Sequence, residues 1–181
     1  MTDSRMVGTR RIFSGRVINL DIDRVRLKTG QEVDLEIIRH PGAAAVVPLL
    51  GNAGSDPRVV LIRQFRHAAG QTLWEIPAGV LEKGEQPRDC ALRELEEETG
   101  ARAGKIEHLS TIFTTPGFTD EKIHLFLATD IVMGTATPED DEEIETVIKP
   151  LAEILEMVSD GTINDSKTIS ALLLTRDRLR L

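Results

Sequence analysis

Residues 79–101 read GVLEKGEQPRDCALRELEEETGA, and every position of Glu94–Glu98 except Leu95 is a glutamate. Pro87 has no N–H to satisfy and suits a first helical position. Gly100 suits a left-handed cap. The spacing therefore predicts a short helix between them, with a loop over Gly79–Gln86 in front of it. At ~100° per residue, Glu94, Glu97 and Glu98 share one face, because positions i, i+3 and i+4 are neighbours. Leu92 and Leu95 point toward another side, where the core should lie. A solvated acidic face is the ordinary explanation of such a pattern, and three features oppose it. Like charges at i, i+4 cost about 0.2–0.5 kcal/mol per pair. Glu97 and Glu98 lie in the last turn, the wrong end of the helix dipole for anions. Neither they nor Glu94 has a basic residue four positions on within the helix, whereas Asp89 has Arg93. A hard divalent cation with oxygen ligands, Mg²⁺ or Mn²⁺, would turn the repulsive cluster into a site.

Outward from the helix, the flanks read as strands. QTLWEIP ends at Pro77-Ala78-Gly79, and before it RVVLIRQF and AAAVVPLL are apolar runs that suit two buried strands joined by a turn-rich loop. Pro48 inside AAAVVPLL points to an edge or a bulge. Downstream, 106–114, 123–129 and 144–149 read as strands, and 150–160 and 166–176 have helical spacing. At the other end, residues 10–40 alternate as strands around a hairpin turn at Lys28–Gln31, where Gly30 is free to take positive φ. A meander this short has little core of its own and must pack elsewhere. His40-Pro41-Gly42 marks the boundary, giving a β-meander over 1–42 and a main α/β domain over 43–181.

Composition narrows the class. The 181 residues fit one domain of ordinary size. With 40% hydrophobic and 29% charged residues the chain is globular in character. A net charge of −8 argues against a general nucleic-acid binder, whose footprint is usually basic. It leaves room for a small polyanionic substrate, since a metal supplies positive charge locally. The one cysteine, Cys90, excludes an internal disulfide and suits a reducing compartment. No membrane-length apolar run or secretory signal is present, so a cytoplasmic protein is expected, with neither membrane nor nucleic acid as partner.

The spacing of the opening stretch carries a resemblance. Gly79, Glu85, Arg93-Glu94-Leu95, Glu97-Glu98 and Gly100 follow the Nudix box, GX5EX7REUXEEXGU, departing only at Ala101, where a bulkier aliphatic is usual. The family implies an α/β/α sandwich with a mixed sheet, here with an N-terminal antiparallel β extension. It implies metal ligation by Glu94, Glu97 and Glu98, with the Ala78 carbonyl as a further ligand, and a structural pairing of Glu85 with Arg93. Outside the box, the chain resembles the ADP-ribose pyrophosphatase and nucleoside-diphosphate-sugar hydrolase branch. Pro116 stands at that branch's marker position, and TTPGFTDE resembles its loop, with Thr115, Gly117 and Glu121 at substrate-contacting positions. RQFR resembles its RQ-X-R strand, where Arg66 would meet phosphate. FSGRVINL and LEIIRH, the latter with Glu36, resemble the β region that this branch exchanges across a homodimer to line the partner's site.

The branch also places a water-activating glutamate in the acidic loop PEDDEEIE, which implies Glu142 first and Glu143 second, acting beside Glu97. Asp34 stands near where some relatives carry a basic residue that stacks on adenine, and Phe113, Phe118 or a residue from the other subunit could take over that stacking. The implied reaction is Mg²⁺-dependent hydrolysis of the diphosphate of ADP-ribose or a related nucleoside diphosphate sugar. GDP-mannose or another sugar nucleotide is the alternative substrate, and a non-catalytic nucleotide-binding module the alternative class.

Overall fold

The computed structural model describes residues 5–51, 57–137 and 143–181. They form two compact units: the described residues through Gly42 with Phe113–Lys122, and Ala43–Ile112 with Ile123–Leu181.

In the first unit, β1 (Arg5–Ser14), β2 (Asn19–Arg26) and β3 (Glu32–Arg39) form an antiparallel sheet in that order. The turn between β2 and β3 closes as the sequence predicts, with the Gly30 N–H bonded to the Leu27 carbonyl at 2.9 Å and φ at 86°. Charged side chains fill one side of this sheet. The buried carboxylates of Asp21 and Asp23 are both paired with Arg39, and Arg11 also pairs with Asp21. The Arg11 bond holds the Asp21 carboxyl below its ordinary range. Residues 114–121 lie along β3: the Ile38 N–H donates to the Phe118 carbonyl at 2.8 Å, and the Asp120 N–H donates back to the Ile38 carbonyl at 3.2 Å.

The second unit is built on a mixed sheet ordered β10-β5-β4-β9-β8. Its strands are β4 (Ala43–Leu50), β5 (Arg58–Arg66), β8 (Arg102–Phe113), β9 (Lys122–Val132) and β10 (Ile144–Pro150). β6 (Gln71–Glu75) pairs with β5, and β7 (Ala78–Val80) with β4. The continuous apolar run of β4 follows from cover on both faces. Ala43, Ala45, Val47 and Leu49 pack with α2 (Leu151–Ser159) and α3 (Ser166–Leu179), through Leu151, Ile154, Ala171 and Leu172. Ala44 and Val46 pack with Cys90, Ala91 and Leu95 of α1 (Pro87–Thr99). The α/β/α arrangement expected from the box is therefore present. Ala101, the one departure from it, is fully buried in the α1-side cluster, where its small size is a packing matter.

Two expectations are corrected. Ala78–Val80 is a strand rather than loop, because Ala43–Ala45 offers it a free edge. Pro48 is not on an edge strand: β4 is central. Its parallel ladder with β9 runs from Ala43 to Pro48, and on its other side it meets β5 only at Leu49 and Leu50. Pro48 falls in the gap between the β7 and β5 pairings, where no N–H is required of it. Among the described residues, no helix is long and apolar enough to cross a membrane.

Candidate active site

Helix α1 starts and stops where its end residues dictate. Pro87 is at its first position, and Gly100 at φ 70° donates its N–H to the Glu96 carbonyl. Other carbonyls of the last turn are also satisfied: Glu97 accepts from the Thr137 N–H at 2.9 Å, and Glu98 from the Thr146 hydroxyl at 3.3 Å. This fixed end sets the direction of the three glutamates. Glu94 and Glu98 are buried, at 8% and 1% exposure, on the side facing β7. Burying two carboxylates so close together demands compensation.

Part of that compensation is Arg93. Its Nη1 donates to Glu94 at 2.6 Å and to Glu97 at 3.0 Å, while its Nε and Nη2 donate to Glu85 at 3.0 and 3.2 Å. The Glu85 bond is the main cause of the upward displacement of the Arg93 pKa, and the same bond lowers the Glu85 carboxyl. The Glu85–Arg93 pairing implied by the box is thus present. Asp89 is not the partner of Arg93 and lies beside Arg88 at 3.5 Å. Glu96, the outward member of the cluster, pairs with Arg102.

Glu98 accepts the Ala78 N–H at 3.0 Å, which ties the helix to β7. The neighbouring Gly79 leaves the space that Glu94 fills: a Cβ there would overlap the Glu94 carboxyl. As they stand, the described residues bring no three acidic, histidine or cysteine side chains to a common point suited to a metal ion. Arg93 supplies the positive charge between Glu94 and Glu97 instead. The donor set nevertheless suits a hard divalent cation, being all carboxylate oxygen beside a backbone strand. The bonds of Arg93 to Glu94 and Glu97 both come from Nη1, and those to Glu85 from Nε and Nη2.

Arg66 ends β5 and forms a two-bond pair with Glu75 of β6, Nε at 2.7 Å and Nη2 at 2.9 Å. The Glu75 bond raises the Arg66 pKa, with Glu98 and Asp165 adding to it through space. Burial alone would push the Glu75 carboxyl up, but Arg66 and Lys167 hold it below its ordinary value. Lys167 also pairs with Asp165 at 3.0 Å, and Asp165 caps α3 through the Thr168 N–H and hydroxyl. Sequence reasoning did not reach this network. Glu75 and Lys167 are far apart in the chain, and no periodicity joins them.

The remaining expected residues divide between the units. Glu143 is exposed and lines a shallow cleft with Arg63, Phe65 and Thr72, in the second unit. Glu142 lies outside the described residues. Glu36, Thr115, Gly117 and Glu121 belong to the first unit. There Glu36 and Gly117, with Arg10, Asp34 and Phe118, line a cleft of about 410 Å³. The Thr115 carbonyl accepts the Phe118 and Thr119 N–H groups at 3.1 Å, folding the loop. Glu121 accepts from the Thr114 hydroxyl at 2.7 Å. His40 Nδ1 is 3.6 Å from Glu121, but it already accepts the Gly42 N–H, so Thr114 is the true partner. Asp34, expected to be unable to stack on a base, is held by Arg24 through two bonds of 2.8 and 3.0 Å.

Comparison with known proteins matches residues 39–172 to the NUDIX domain family. A protein of Bacillus methanolicus named methanol dehydrogenase activator is 41% identical over 172 residues, covering 94% of this chain and 91% of that one. The ADP-ribose pyrophosphatase of Bacillus subtilis (strain 168) is 38% identical over the same length, with the same coverage. Among solved structures, one titled "Crystal structure of ADP compounds hydrolase" superposes with a TM-score of 0.84 over 99% of this chain and 96% of that chain. At 21% identity it speaks for the fold.

Proposed function

The chain belongs to the NUDIX family, and on that premise we propose that it hydrolyses the diphosphate bond of ADP-ribose or a related nucleoside diphosphate sugar. The products are a nucleoside monophosphate and a sugar phosphate. Relatives named for ADP-ribose hydrolysis support the substrate class. The observation that carries the chemistry is the α1 face: Glu94, Glu97 and Glu98 beside Ala78 and Gly79, with Arg93 clipped to Glu85 behind them.

Nudix hydrolases generally use divalent metals. In this reading Glu94, Glu97, Glu98 and the Ala78 carbonyl hold Mg²⁺, with Mn²⁺ the substitute. When bound, such an ion neutralises charge on the diphosphate and makes water a better nucleophile. The chain's own groups do the rest. A glutamate of the acidic loop, Glu142 or Glu143, takes the proton as the water oxygen bonds to phosphorus and the bond to the bridging oxygen breaks. Arg66 meets a phosphate oxygen, and Glu36, Thr115, Gly117 and Glu121 face the remainder of the substrate. Exposed Met6, Ile12 and Phe13 on β1 support a homodimer in which residues 1–42 are exchanged. The single, buried thiol supports a cytoplasmic setting.

Glu98→Gln or Glu97→Gln is expected to lower Mg²⁺-dependent turnover of ADP-ribose by more than ~100-fold, beyond the usual cost of losing an outer-shell partner. The circular dichroism spectrum should not change. Full turnover in either variant would remove the metal assignment, and GDP-mannose in the same assay decides between the two substrate readings. The relative named as a methanol dehydrogenase activator supports a second reading, activation of a dehydrogenase. Stimulation of methanol dehydrogenase that persists in Glu98→Gln would favour that reading over hydrolysis.

A further inference from the structure

We propose that Glu75 is the positioning residue for Arg66, fixing one edge of its guanidinium so that the other edge is presented to the diphosphate. This deepens, and rests on, the reading of Arg66 as a phosphate contact. Glu75 is 1% exposed and cannot itself reach a ligand in solvent, whereas the Arg66 side chain is 39% exposed. The Glu75 carboxylate takes Nε and Nη2 of Arg66 in a two-bond pair, which leaves Nη1 uncommitted to that pair. An arginine so held has lost its rotamer freedom before a ligand arrives, so little further ordering is needed on binding.

The same short segment fixes the other side of the site. Four residues run from Glu75 to Ala78: the first holds Arg66, and the last donates its N–H to Glu98. Between them the Ile76 N–H donates to the Thr168 hydroxyl at 3.0 Å, and the Pro77 carbonyl accepts the Val46 N–H at 2.9 Å. Every link is a hydrogen bond from a buried or half-buried group, so the spacing between Arg66 and Glu98 is set by the covalent length of EIPA. Lys167 has a different role. It shares Glu75 Oε2 with Nη2 of Arg66, leaves the Nε bond to Oε1 untouched, and joins Glu75 to the Asp165 cap of α3, a tie that stabilises the fold.

Kinetics with ADP-ribose separate these roles. Arg66→Ala, Glu75→Gln, Lys167→Gln and the Arg66→Ala/Glu75→Gln double variant would be compared for kcat, KM and thermal midpoint. Glu75→Gln should lower kcat/KM by ~10- to 100-fold, the range expected when a binding group is misplaced. The effect should fall mainly on KM, and the double variant should be no worse than Arg66→Ala alone. Lys167→Gln should lower the thermal midpoint while leaving KM within about threefold of the parent. Additive effects in the double variant would overturn the proposal. So would an unchanged KM in folded Glu75→Gln, or a rise in KM for Lys167→Gln equal to that of Glu75→Gln. Where Glu75→Gln does not fold, Glu75→Asp keeps the charge and draws it back by one methylene, and an unchanged KM there overturns the proposal equally. An unchanged KM in Arg66→Ala would instead remove the underlying reading of Arg66.

Discussion

Gly79 shows how much one missing methyl decides. Its φ is not in the left-handed region, so backbone freedom is not the reason for glycine; the Glu94 carboxyl fills the place of a side chain. Gly79→Ala should therefore keep β7 paired but displace Glu94, weakening Mn²⁺ binding by about tenfold or more in calorimetric titration. Undiminished binding would show that Glu94 does not hold the ion. The sharing of one helix face by Glu94, Glu97 and Glu98 was legible in the sequence, because it follows from helical period alone. The behaviour of Arg93 was not. Counting forward finds no base for Glu94 or Glu97, yet Arg93 reaches both while staying bonded to Glu85 and leaving Asp89 to Arg88. Several carboxylates compete for one guanidinium, and its Nε and Nη2 go to Glu85 in the preceding loop while Nη1 serves Glu94 and, one turn on, Glu97.

At the scale of elements, boundaries with a local chemical cause were legible. Pro87 and Gly100 bound α1, and the turn at Gly30 separates β2 from β3. β7 was not legible, since three residues carry no period and its partner, Ala43–Ala45, is distant in sequence. The junction of β6 with α3 is likewise invisible to periodicity and is held by Glu75, Lys167 and Asp165. It makes the fold acid-sensitive. The Glu75 carboxyl lies below its ordinary value, so the pairing contributes fully above the usual carboxylate range and is lost as pH falls through the lowered folded value. The thermal midpoint should fall as pH drops below ~4, and Glu75→Gln should flatten that acid limb while lowering the neutral-pH midpoint. Glu75→Ala removes the carboxylate from both Arg66 and Lys167, leaving Lys167 with Asp165 alone, and should lower the thermal midpoint at least as far as Glu75→Gln. An acid limb unchanged in Glu75→Gln would assign it to other carboxylates.

For the whole molecule, the first unit raises the question of what covers it. All of β1 is exposed, and Met6 and Phe13 are each 55% accessible. Their exposure is consistent with the proposed pairing with a second copy. Sedimentation velocity is expected to show a dimer, and Phe13→Glu to yield a monomer whose second unit remains folded. A monomeric parent chain would exclude the exchanged arrangement. In the sequence, residues 10–40 carry the mark of a meander with polar outer faces, too short to hold a core of its own. That residues 113–122 share their unit was not legible, because contacts such as Ile38 with Thr119 join positions far apart in the chain.

The parallel pairing of β4 with β9 also sets a schedule. Ala43 faces Ile123 across that ladder, so β5, β6, β7, α1 and β8 are all synthesised between the two partners. A chain emerging from the ribosome carries the apolar run AAAVVPLL long before its parallel neighbour exists. Closing so long a loop must precede the reward of that pairing, which slows folding relative to hairpin-built sheets. Until then β4 can be sheltered by its antiparallel contacts with β5 and β7 and by the packing of α1 on Ala44 and Val46. The carboxylate-bearing helix and the short strand beside it are thus both made in time to cover β4 before its parallel neighbour exists.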